Sequence, residues 1–151
     1  MAFAVKSTLQ AVESYLKASG YVRTVFVGEP KQPVEGAGVS AAIYMTSADV
    51  VQLTLNGTIE VHTATIRLYA DMLREPLEAN EFEMSEITGA ILSDLLGEYD
   101  LGATVRNIDA GGQYGSAVSV RWGHVDVSGK MYRIADIALP LIVDDSATLA
   151  A

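Results

Sequence analysis

Two adjacent aspartates, Asp144 and Asp145, close a long apolar segment, and two histidines, His62 and His124, lie inside β-rich runs. Carboxylates and imidazoles are the usual ligands for a cation and the usual acid–base groups. Neighbouring strand residues point to opposite faces, however, so Asp144 and Asp145 do not converge on one ion. They are expected to end a strand and keep its edge soluble. The histidines have no third ligand signalled beside them and are expected to be ordinary partly buried or cross-strand residues. The segment "DAGGQYGS" has the glycine content of a phosphate loop. Such a loop must open a helix whose N-terminus holds the phosphate. A strand follows here, so a flexible hairpin tip is expected. No serine sits in a nucleophile elbow. The chain has no cysteine, which removes thiolate nucleophiles, thiolate metal sites and disulfides. The expectation is a protein that is not an enzyme, with no catalytic, metal or cofactor-binding residues and no cofactor.

Four arginines, Arg67, Arg106, Arg121 and Arg133, fall in β-rich runs. A guanidinium there pairs with a carboxylate across the sheet or across a subunit contact. The formal charge of −9 argues against a protein that grips DNA by neutralising phosphates. It remains compatible with one that DNA slides past.

The elements that must position these residues read clearly in places. Val5, Leu9, Val12 and Leu16 recur at helical spacing, and Gly20 supplies the stop. Residues 22–27 are β-branched and aromatic and read as a strand. Residues 28–38, with Pro30, Pro33, Gly36 and Gly38, read as a loop. A strand over 39–46 follows. Asn56-Gly57 between two β-rich runs predicts a hairpin with arms 50–55 and 58–72. Its second arm changes apolar parity between Val61 and Ala64, which predicts a bulge or strong twist near Thr63, or a strand that crosses from one environment to another. Pro76 opens a second helix that carries Met84, Ile87, Ile91 and Leu95 on one stripe and ends near Gly97. Strands over 104–108, 116–127 and 130–143 complete the chain, with a tight reversal at Ser128-Gly129.

Strands cluster instead of alternating with helices. The predicted class is therefore α+β: a single domain over residues 1–145, a mostly antiparallel or mixed sheet of long strands flanked by two main helices, and a loose tail over 146–151. No signal peptide or membrane-spanning run is expected. Two arms, 59–72 and 130–143, would each reach ~45 Å, beyond the usual strand length. Both are apolar on two faces, so a second cover is expected, a neighbouring copy of the chain.

In this order the chain resembles a tail terminator, or tail completion protein, of long-tailed bacteriophages. The resemblance is carried by "VKSTLQAVESYLKASG", "VRTVFVGEPKQP", "TIEVHTATIRLYAD", "LGATVRNIDAGG" and "SVRWGHVDVSGKMYRIADIALPLIVDD". It implies a homo-oligomeric ring, hexameric in the family, on the end of the tail tube. The ring would stop tube polymerisation and present the docking surface for the head. Implied partners are the major tail tube protein and a head-completion or connector protein, with genomic DNA passing through the lumen without sequence-specific binding. No membrane is implied. The place would be the virion, at the head-proximal end of the tail, and the host cytoplasm during assembly. Other readings are a head–tail connector component, a tail-tube subunit, or a module that binds a small ligand or peptide. Expected contact regions are residues 28–38, 47–56 and 111–115, and expected interface residues are Glu29, Lys31, Val50, Val51, Leu53, Leu55, Arg67, Arg121 and Arg133.

Overall fold

In a computed structural model of the chain, residues 5–30, 33, 38–55, 57–71, 77–97, 107–115 and 117–145 are described. Helix α1 spans Val5–Ser19 and helix α2 Leu77–Gly97. The strands are β1 (Thr24–Val27), β2 (Val39–Thr54), β3 (Gly57–Asp71), β4 (Asn107–Ile108), β5 (Ser119–Val127) and β6 (Lys130–Asp145). They form one sheet in the order β1-β2-β3-β6, with β4 and β5 sharing the outer edge of β6. Only the β1–β2 pair is parallel. The expected single α+β domain with long strands is thus the observed one.

Alternation along each strand sets the packing. One face carries Ala41 and Ile43, Ile66 and Leu68, and Ile137, Leu139 and Leu141, all buried. Val12 and Leu16 of α1 and Met84, Ile91 and Leu95 of α2 close over it in a single cluster. A fully buried Leu or Ile contributes roughly 1.5–3 kcal/mol relative to the exposed state. Gly20, at φ 77°, ends α1 in the left-handed region as the sequence predicts.

Three expectations change. The arms 39–46 and 50–55 are one strand of 16 residues. Ser47, Ala48 and Asp49 stay paired with Thr63, His62 and Val61, and irregularities between Met45 and Ser47 and between Val50 and Gln52 absorb the mismatch. The bulge predicted near Thr63 therefore lies across from it, on β2, while β3 keeps its parity. Secondly, part of the second face is covered from within the chain. Phe26, Ala42, Tyr69, Tyr132 and Ile134 cluster there. The Tyr132 hydroxyl donates to the carbonyl of buried Pro33 at 3.2 Å, so Pro33, expected in a loop, reaches this face. Thirdly, the strand expected over 104–108 is described only at Asn107–Ile108, since residues 101–106 lie outside the described residues. The tail over 146–151 also lies outside them.

Candidate interface surfaces

The chemistry-bearing residues separate into closed networks and open surfaces. His62 and Glu60 are fully buried on the helix-facing side of β3. Two residues apart on a strand, they share a face. His62 Nε2 lies 2.9 Å from Glu60 Oε1, Thr58 donates to Glu60 Oε2 at 2.7 Å, and Thr8 of α1 meets His62 Nδ1 at 3.1 Å. The expectation of an ordinary histidine missed this buried pair. An unpartnered charge there would cost several kcal/mol, and the network removes that cost. Because Glu60 and His62 occupy parity positions that the apolar count leaves empty, they also produced the false parity change in β3.

Arg67 lies on the opposite, helix-free face. Its Nε and Nη2 donate to Asp136 at 2.7 and 3.0 Å, and Nη1 donates to Glu29 at 2.6 Å. The bidentate bond to Asp136 raises the guanidinium pKa above its ordinary value. Tyr44 and Tyr69 line the same row, and burial is the main cause that raises both phenols above 10.0. Arg133, on the helix-facing side, clamps Glu81 of α2 through Nε at 3.0 Å and Nη2 at 3.1 Å, and Nη1 reaches the Gly123 carbonyl at 3.3 Å. Arg67, Glu29 and Arg133 are therefore engaged inside the chain. Arg121 is exposed. Lys31 and Arg106 lie outside the described residues.

Asp109 is buried and holds the glycine-rich loop closed. Its Oδ1 accepts from the Gln113 amide at 2.7 Å and its Oδ2 from the Tyr114 amide at 3.1 Å. Amides already taken by a carboxylate do not cradle a phosphate, which agrees with rejecting that chemistry. The hairpin expected here is not the arrangement found: among the described residues β4 and β5 both pair with β6 and not with each other, and the loop joins them along its edge. Asp144 is exposed, and among the described residues no group of three histidine, aspartate or glutamate side chains could hold a metal ion. Two shallow grooves of about 270 and 340 Å³ flank α2. Tyr21 in the first donates to Asp94 in the second at 2.7 Å, and that bond raises the Tyr21 phenol above 10.0.

The open surfaces are different in kind. Beyond the short reach of β1, the distal half of β2 and the residue after it present Val50, Leu53 and Leu55 at 48, 59 and 80% exposure, with Val51 half-buried. Trp122 of β5 is 48% exposed. Single exposed apolar residues are ordinary, but a run along one strand is the mark of a contact surface. No described helix is long and apolar enough to cross a membrane. Neither a protein-family model nor a curated protein sequence matches the chain.

Proposed function

We propose that this chain is a structural subunit of a phage tail: a ring-forming terminator that caps the tail tube, ends its polymerisation and offers a docking surface to the head. The observation that supports this best is the distal arm of β2, where Val50 and Leu53, with Leu55 just past the strand end, stand in solvent beside a backbone edge. Polar side chains that would do chemistry are instead spent on holding the fold: Glu60 on His62, Arg67 on Asp136, Asp109 on its own loop. A ring subunit needs surfaces of this kind and no reaction centre. The acidic balance of −9 suits a lumen that must let DNA pass. The resemblance along residues 3–145 is what supports a place at the end of the tube.

The test is a tube-capping assay with a polymerising major tail tube protein. Added protein should shorten growing tubes and mark one end of each. Longer tubes would identify a tube subunit, and unchanged tubes would end the capping proposal.

A further inference from the structure

The sheet stops on two free edges. β1 pairs β2 only over residues 40–43, and among the described residues no strand pairs the outer side of β2 from 44 to 54. β5 pairs β6 on one side, and among the described residues no strand pairs it on the other. Because the β2–β3, β3–β6 and β6–β5 pairs are all antiparallel, β2 and β5 run in opposite directions. A second copy displaced sideways in the sheet plane, with its helices on the same side, therefore brings its β2 antiparallel to the first copy's β5.

We propose that copies of this chain join head to tail through this β2–β5 ladder, with Asp49 opposite Arg121 setting its register. The inference rests on the ring reading above and names the contact that would build the ring. Asp49 and Arg121 are both exposed. Both lie on the helix-free face, since Asp49 is opposite Val61 and Arg121 is opposite Asp136. Asp136 of the same chain lies across from Arg121 but is already held by Arg67 through both oxygens, so Asp49 of a second copy would add a carboxylate on the open side of Arg121. With Asp49 opposite Arg121, Ala48 falls opposite Trp122 and Val50 opposite Val120 on the helix side. Trp122 then lies over Ala48 and reaches Val50 on the diagonal, so one register satisfies the charge pair on one face and an apolar cluster on the other.

The same register decides whether the assembly closes. Asp49 is level with Val61 and, through it, with Ile142 of β6, whereas Arg121 is level with Asp136. Each copy thus steps the ladder by the six positions between 136 and 142. That is ~20 Å along the strands for ~19 Å of width across four strands. The strands tilt by about 45°, the upper end of the range found in closed barrels.

The absence of native cysteine makes the test direct. The double variant Asp49→Cys with Arg121→Cys, oxidised mildly, should give a covalent ladder of multimers on a non-reducing gel. Each single variant should give no ladder. Asp49→Arg and Arg121→Glu should each weaken association at least about tenfold, and the combined swap should recover most of it. A wild-type assembly that survives both reversals and gives no cross-linked ladder overturns the β2–β5 contact and leaves the ring reading standing. A wild-type chain that stays monomeric at every concentration overturns both.

Discussion

Glu60 and His62 illustrate how a strand can hide its most polar residues. Glu-x-His in a β-rich run always places both side chains on one face, so the pairing was available from spacing alone. What spacing does not show is that Thr8, 54 residues away from His62, closes the network from α1. Removing one partner from a fully buried pair leaves an uncompensated group. Glu60→Ala is expected to cost about 3–5 kcal/mol in urea denaturation, and Glu60→Gln clearly less. Arg133 was expected at a subunit contact. It clamps Glu81, whose side chain is 47% exposed, so screening limits the pair's worth. Arg133→Glu faces one carboxylate with another and should cost about 1 kcal/mol of fold stability, measured by the same denaturation. That loss makes it a poor probe of assembly. The phenols of Tyr21, Tyr44 and Tyr69 are all raised above 10.0. For Tyr21 the leading cause is its bond to Asp94. A raised phenol holds its proton more tightly in the fold. Its stabilisation is present in full below pH 10 and is lost as pH climbs through the raised value. Ultraviolet titration should therefore show late-ionising tyrosines, and Asp94→Asn should move one of them back towards 10.0.

At the scale of the element, period and turn chemistry carried most of the information. The α1 stripe, the Gly20 stop and the Ser128-Gly129 reversal were legible because each has a local cause. Ser128 and Gly129 indeed adopt φ of 54° and 83°. The split of β2 into two strands was misread because Ser47, Ala48 and Asp49 are poor strand formers. The ladder to β3 overrides their propensity. The Arg67–Asp136 bond spans 69 positions and depends on the β3–β6 register, which no local pattern encodes. Asp109 belongs to a third kind: an aspartate opening a glycine-rich loop is a known turn builder, and it is buried here because β4 lies against β6. Asp109→Ala should cost about 1–3 kcal/mol by leaving the Gln113 and Tyr114 amides unpaired. Hydrogen exchange at those two amides should accelerate, and unchanged rates would show that the loop is held by something else.

For the whole molecule, the described residues make a two-layer fold whose helices cover one face and whose Pro33 reaches part of the other. Surface and edge remain on β2 and β5, and the proposed ring is built from them. Val50→Asp with Leu53→Asp should leave the monomer folded, because both residues are about half or more exposed. It should also lower the assembled fraction. The most direct measurement is the mass of the 16.1 kDa chain by light scattering after size exclusion, over a wide range of concentration. A ring predicts one discrete multiple of that mass, six in the family it resembles, which the Val50 and Leu53 variants lose. A single monomeric species at every concentration, in wild type and variants alike, would contradict it.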